Sequence, residues 1–529
     1  VIPLWCFREV GTNSMVASVE VHIFPQILAA LSSPRQSRLT PAGGDVGMRH
    51  HHWRAAAIMV ATGLCALTAS DLLQAYAARR ISPVDVMQAV LTRVEIANPT
   101  INALFYLVPE AALAQAQASE RRWAAGTPCG LLDGIPVSVK DSVAVAGMPY
   151  WRGCRGNMGK PDPTQDAPPA ARLKEAGAII FGKTTMPDFG MFGAGVSSAH
   201  GVSRNPWNLA FNTGGSTSGG AAAVAAGLGP LTVGTDIGGS VRLPASLCGL
   251  SSIKPTQGRI PHLPPSTMRS AGPLARTVTD AALLLTVLAG ADPRDYGAVR
   301  PEAIAYHERL SGNVAGLKIG LVRESGFAAA EPAVAAAIEA AAACLAAAGA
   351  EIVPMPKLTE LDYAAALNRV FAVRSRIELE SMPPATRDGV HPGVLAICAA
   401  ADGVSGVELG QAYDVLEQLK ARLTAMSATV DFLLTPTTPV VNFAAEATAP
   451  DPDRMIDYIG FTAPFNQSGQ PAAVTCCGFD ARGLPIGLQI IGARYDDIGV
   501  LNVAFAYEQR RGFGIGWPEP DAGGASVAG

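Results

Sequence analysis

The chain has 529 residues, of which 49% are apolar and 16% charged, with a formal net charge of −4. That balance supports a sizeable core and excludes both a nucleic-acid-binding surface and a long charged tail. No stretch reaches the roughly 18 apolar residues of a membrane-spanning helix, so the expected partner is a small molecule, with no nucleic acid and no membrane.

Length alone allows two to four domains of roughly 100–200 residues, or one large α/β domain. The nine cysteines form no C-x-x-C pair. An odd count without such spacing reads as buried free thiols in a reducing compartment, hence cytoplasmic.

In chain order, residues 1–66 read as an N-terminal extension, partly disordered or non-native. The basic residues and apolar run of Met48–Leu67 carry the alternative of a signal peptide, and so of export. Thr68-Ala-Ser-Asp71 favours the plainer reading, because it forms a capping box that opens a helix. Ser82-Pro-Val-Asp85 opens a second helix, with Val84, Val90, Leu91 and Val94 on one face and an end expected near Pro99. A helix follows over 110–125. A strand over Ile135–Val139 delivers Lys140. A helix is expected over Asp166–Ala176 and a strand over Ala178–Gly182. A buried helix over Ala221–Ala226 precedes a strand over Leu231–Val233 that runs into Gly234. A helix spans Val278–Leu288. A strand over Leu317–Val322, a long Ala-rich helix at 331–348 and a strand over Glu351–Val353 come next, and Asp431–Pro436 returns to strand character. This alternation predicts an α/β fold with a catalytic domain over 67–515. A variable helical region occupies about 290–425, and a Gly/Ala/Pro-rich tail over 516–529 is expected to be disordered.

Two segments stand out chemically. Gly214-Gly-Ser-Thr-Ser-Gly-Gly220 holds four glycines and three hydroxyls, then enters an Ala/Val helix. A phosphate loop would need Lys-Ser/Thr after its last glycine, where Ala221 stands. A solvated linker would not lead straight into so apolar a helix. Gly234-Thr-Asp-Ile-Gly-Gly-Ser240 is a second glycine turn. Its backbone N–H groups can converge beside a serine, which suits a nucleophile next to an oxyanion hole; a plain tight turn is the competing reading. Ser240 needs a base. None of the eight histidines sits in a motif that marks it, and no Gly-x-Ser-x-Gly elbow surrounds Ser216 or Ser240. Ser251-x-x-Lys254 is a weak β-lactamase match without its companion motifs. Lys140 ends an apolar run, and burial favours its neutral, basic form. An ordinary lysine paired with Asp141 is the alternative.

Taken together, these segments resemble the amidase-signature family of serine hydrolases, from about Leu67 to about Glu508. The landmarks are Gly134-Ile-Pro-Val-Ser-Val-Lys-Asp141, Gly182-Lys-Thr-Thr-Met-Pro-Asp-Phe189, Asn205-Pro-Trp207, the two glycine segments, Lys254-Pro-Thr256 and Gly272-Pro-Leu-Ala-Arg-Thr-Val278. Later come Leu434-Thr-Pro-Thr437, Phe465-Asn-Gln-Ser-Gly-Gln-Pro471 and Gly483-Leu-Pro-Ile-Gly-Leu-Gln489. The resemblance implies a large mixed twisted sheet covered by helices on both faces. It also implies a Ser-cisSer-Lys triad: Lys140 as neutral base, Ser216 as bridging serine after a cis peptide, and Ser240 as nucleophile. Ser218 is the local rival for the bridging role. The N–H groups of Ile237, Gly238, Gly239 and Ser240 are expected to bind the oxyanion, Gly190 to line the acyl side, and Asp236 to pair with Arg242 as a brace. No cofactor and no metal is implied, and a homodimer is allowed. The expected reaction is hydrolysis of a small-molecule amide, with a carbamate, urethane or urea as the alternative. The ammonia-releasing chain of an amidotransferase is a lesser one, because the tyrosine-rich, arginine-containing tract of such chains is not found after Ile260. The sequence departs from the family at Tyr150-Trp-Arg-Gly-Cys154 and Lys183-Thr-Thr185, and bulky Tyr150 and Trp151 suggest an aromatic or flat substrate.

Overall fold

A computed structural model describes residues 63–518. The expectations for residues 1–62, including most of the signal-peptide alternative, and for 519–529 lie outside the described residues. Both capping boxes form. Thr68 caps the helix Ala69–Ala77 and Ser82 caps the helix Pro83–Ile101, each reciprocally with the acidic residue three positions on. The second helix runs through Pro99 instead of stopping there. Its last turn is anchored by fully buried Ile101. Asn98 Oδ1 accepts the N–H groups of Ala103 and Leu104 at 2.9 and 2.8 Å, closing the helix beyond the proline.

Eleven strands form one mixed sheet. They are β1 (Leu104–Leu107), β2 (Pro136–Lys140), β3 (Ile179–Thr184), β6 (Leu231–Asp236), β7 (Ser251–Lys254), β8 (Ser270–Ala275), β9 (Lys318–Leu321), β10 (Glu351–Pro354), β11 (Phe432–Pro436), β12 (Ala472–Phe479) and β13 (Pro485–Gly492). A short separate ladder pairs β4 (Val196–Ser197) with β5 (Gly201–Val202). The sheet order is β1-β3-β2-β6-β8-β7-β12-β13-β11-β9-β10. Strands β3, β2 and β6 are parallel at one end and β11, β9 and β10 at the other, with antiparallel pairs joining the two groups. Every residue of β2, β3, β6, β8, β11 and β13 is buried. A strand buried on alternate and intervening residues alike is covered on both faces, as the sequence led us to expect.

Within the stretch 290–425, β9 and β10 extend the sheet. The wholly helical part is therefore narrower, from Tyr363 to Ser427. Two of its three helices, Tyr363–Glu380 and Gly406–Ser427, pack on a core of their own built around Leu367, Val370, Leu416 and Leu419, which also includes Phe461 and Phe465. Cys129, Cys154, Cys248, Cys344, Cys398 and the neighbours Cys476 and Cys477 form no disulfide. Among the described residues no helix is long and apolar enough to cross a membrane.

Candidate active site

Parallel neighbours β2 and β6 end side by side, and the loops after parallel strands are where α/β sheets build sites. Strand β2 ends on Lys140. Strand β6 ends on Asp236 and enters the turn Ile237–Val241, which leads to the helix Arg242–Leu247. The glycine-rich loop at 214–217 lies against this turn, because the Thr217 N–H and Oγ1 both donate to the carbonyl of Ser240, at 3.2 and 2.5 Å. The Gly215–Ser216 peptide is cis. A side chain at Gly215 would place its Cβ 2.4 Å from the Ala194 carbonyl, so only glycine fits there.

Lys140 is completely buried. Its Nζ lies 2.8 Å from Ser216 Oγ, 3.1 Å from Thr217 Oγ1, and 3.2 and 3.3 Å from the carbonyl and hydroxyl of Thr235. None of these partners is a carboxylate. Asp141, the alternative partner, turns away and accepts the N–H groups of Trp151 and Gly153 at 2.9 and 2.8 Å. Burial drives the Lys140 pKa well below its ordinary value, and the charge of Asp236 only partly opposes this.

Ser216 and Ser240 line one cavity of about 110 Å³, together with Gly190, Ile237, Gly238, Ser142 and Thr235. Lys140 reaches that cavity through Ser216 and Thr235, which touch both. Ser218 does not join them. It begins the helix Ser218–Ala225 and its Oγ donates to the Thr185 carbonyl at 3.3 Å.

The turn after β6 is held by a second buried charge. Arg242 Nε and Nη2 donate to Asp236 at 3.0 and 2.9 Å, Nη2 also to Asn466 Oδ1 at 2.6 Å, and Nη1 to the Thr462 carbonyl at 2.9 Å and Gln489 Oε1 at 2.7 Å. Burial would raise the Asp236 pKa, but the charge and hydrogen bonds of Arg242, helped by Asn466, hold it down to about 2. Asp236 Oδ1 also accepts the Gly239 N–H at 2.7 Å. This corrects the expected set of oxyanion donors: the Gly239 N–H is already engaged, and Gly239 does not line the cavity. Its role is the turn itself. With φ +130° and Thr462 Oγ1 only 2.4 Å from where a Cβ would stand, the position admits no side chain.

The other sequence candidates fall elsewhere. Ser251 and Lys254 do not meet: Ser251 Oγ lies 3.2 Å from both Thr475 Oγ1 and Glu508 Oε1, and Lys254 Nζ donates to the Pro255 carbonyl at 2.9 Å. His200 stacks on Phe105 at 4.2 Å, and burial lowers its pKa to about 4. Tyr150 and Trp151 do not line the cavity. Trp151 packs with Phe105 and His200, at 5.3 and 5.8 Å, so neither residue supplies the expected aromatic wall; the rings that line the cavity are Phe189, Phe192 and Phe371. Thr217, Thr235 and Ser142 were missed, although the two threonines stand inside the glycine segments. Asn466 and Gln489 lie in two late landmarks that resemblance flagged without a role, and the hydrogen bonds to Arg242 supply one.

Comparison with known proteins agrees with this architecture. The family model described as Amidase matches residues 85–501. The chain is 37% identical over 479 residues to the A-type subunit of the glutamyl-tRNA(Gln) amidotransferase from Chloroflexus aurantiacus, covering 85% of this chain and 97% of that one. It is similar in structure to a bacterial aryl acylamidase of the amidase-signature enzymes, with a TM-score of 0.79, 27% identity and coverage of 84% and 96%. A 6-aminohexanoate cyclic dimer hydrolase complexed with substrate gives a TM-score of 0.77, 29% identity and coverage of 85% and 98%. The match to the family model and the length of the shared alignment make this chain a member of the amidase-signature family of amide-hydrolysing enzymes.

Proposed function

We propose that this protein is a stand-alone amidase that cleaves the C–N bond of a small-molecule carboxylic amide through Lys140, Ser216 and Ser240. The observation that carries the reading is the Lys140 amine, 2.8 Å from Ser216 Oγ and without a carboxylate partner, with both serines on one cavity. Neutral Lys140 accepts the proton of Ser216 as Ser216 takes that of Ser240, and Ser240 Oγ attacks the carbonyl carbon. The N–H groups of Ile237, Gly238 and Ser240 are the candidate donors to the oxyanion; each such donor is worth about 2.7–4 kcal/mol. The relay runs backwards to protonate the departing nitrogen, and water then hydrolyses the acyl-enzyme. Asp236 and Arg242 hold the turn and move no proton.

The test is turnover of matched aryl amide, aliphatic amide and carbamate substrates by the wild type and Ser240→Ala. The variant should lose at least about 10⁴-fold in kcat, and retained turnover removes Ser240 as the nucleophile. Preference for the carbamate in the same panel would move the scissile bond but keep the relay.

A second reading, the ammonia-releasing chain of an amidotransferase, is favoured by the 37% identity to such a chain over most of both lengths. It predicts co-purification with partner proteins and release of ammonia from glutamine that depends on them. The stand-alone reading predicts amide turnover by this chain alone.

A further inference from the structure

The cavity beside Ser240 carries more positive charge than the relay requires. Three arginines line it, Arg152, Arg269 and Arg374, against one carboxylate, Glu378. They come from distant parts of the chain: the loop after β2, the segment before β8, and the helix Tyr363–Glu380. Arg152 is committed to its neighbours. It pairs with Glu378 and donates to the Phe189 carbonyl at 3.0 Å. The guanidinium groups of Arg269 and Arg374 have no hydrogen-bond or ion-pair partner among the described residues, although Arg269 is half-buried. Burial, reinforced by the charges of Arg152 and Arg374, lowers the Arg269 pKa to about 10.

Arginines that repel one another at the mouth of a reactive cavity are stabilised when an anion enters, and a guanidinium fork matches a carboxylate in two parallel hydrogen bonds. A solvated surface cluster would not gather three such groups around a cavity that also holds two reactive serines. We infer that the substrate amide carries a carboxylate and that Arg269 and Arg374 bind it, while Arg152 and Glu378 hold each other in place. This rests on the proposed amidase reading and adds the charge of its substrate. Two placements share the chemistry, a carboxylate on the acyl side or one on the amine side of the scissile bond.

Two measurements test it, one free of catalysis. Calorimetric binding of glutarate to the full-length protein should exceed that of neutral 1,5-pentanediol. It should weaken by about 10-fold or more in Arg269→Gln and in Arg374→Gln, but not in Arg482→Gln, which removes the same charge from an arginine outside the cavity that pairs with Asp480. Because Arg374 is exposed, its variant separates lost binding from lost folding. In turnover, N-phenylsuccinamic acid is compared with its methyl ester for the acyl side, and hexanoylglycine with its methyl ester for the amine side. One pair should favour the acid about 10-fold in kcat/KM, and Arg269→Gln should bring that pair to parity. Equal or better amide cleavage of both esters overturns the inference, as does glutarate binding indifferent to Arg269 and Arg374. Arginine-dependent glutarate binding without any amide turnover would instead leave the anion site standing and count against the amidase reading.

Discussion

Two buried basic side chains, Lys140 and Arg242, touch the end of β6 and its turn, and they are housed in opposite ways. Arg242 is wrapped by a carboxylate, two side-chain amides and a carbonyl. Lys140 is wrapped by three hydroxyls and a carbonyl, with no counter-charge in hydrogen-bond reach. The same depth of burial therefore has two results. Where a partner charge is supplied, the side chain is locked by ion pair and hydrogen bonds into the scaffold. Where it is withheld, desolvation lowers the amine's pKa well below its ordinary value, which favours the neutral form the proposed relay uses beside Ser216. Asp236 takes part in both outcomes, since its charge acts on Lys140 from a distance while its oxygens are taken up by Arg242 and the turn.

The comparison can be broken most sharply at Lys140. Lys140→Met should lower kcat/KM by about 10²–10⁴-fold, while thermal unfolding moves by no more than about 1–2 kcal/mol, because no buried charge loses its hydrogen-bonded partner. A collapse of stability equal to the loss of activity would make Lys140 a structural residue. Arg242→Met should do the reverse. Removing the partner of buried Asp236 should cost about 3–5 kcal/mol of stability, read as a fall in the unfolding midpoint or in soluble yield. An unchanged midpoint would show that the brace is dispensable.

The pH response sharpens the same contrast. The proposed relay needs neutral Lys140, so kcat/KM should rise with pH through its folded-state pKa, on an acid limb lying well below the ordinary lysine value of 10.5. A profile that peaks in acid contradicts the assignment. Asp236 gives the smallest effect. Its pKa of about 2, against 3.8 for a free aspartate, is depressed by folding, so the unfolded chain takes up the proton first as pH falls. Its contribution of about 2 kcal/mol is complete above pH 4 and should be lost progressively as pH falls toward 2, in an acid titration of the unfolding midpoint compared with Asp236→Asn.

Much of this was legible in the chain. Helix starts were written locally as Thr68/Asp71 and Ser82/Asp85. The choice of Ser216 over Ser218 followed from spacing, and the structure places only Ser216 against Lys140. What escaped reading depends on long-range pairing and side-chain direction. Thr235 meets Lys140 only because β6 pairs with β2. The Gly239 N–H was expected to face the cavity, but the Asp236 carboxylate three residues back captures it. Trp151 was expected near the substrate because the bulky stretch Tyr150–Cys154 departs from the family pattern, yet its ring packs with Phe105 and His200. Arg269 and Arg374 carry no motif; they become neighbours only when the segment before β8 and a helix a hundred residues later close on the same cavity.

That helix, Tyr363–Glu380, brings Phe371, Arg374 and Glu378 to the cavity from a core distinct from the one that holds β2 and β6. The residues proposed to make and break bonds lie within 140–240, and one wall that judges the substrate is written far downstream. Recombination between relatives at the loops bounding residues 363–427 should therefore transplant substrate choice as a block, with the hydrolytic chemistry inherited from the recipient.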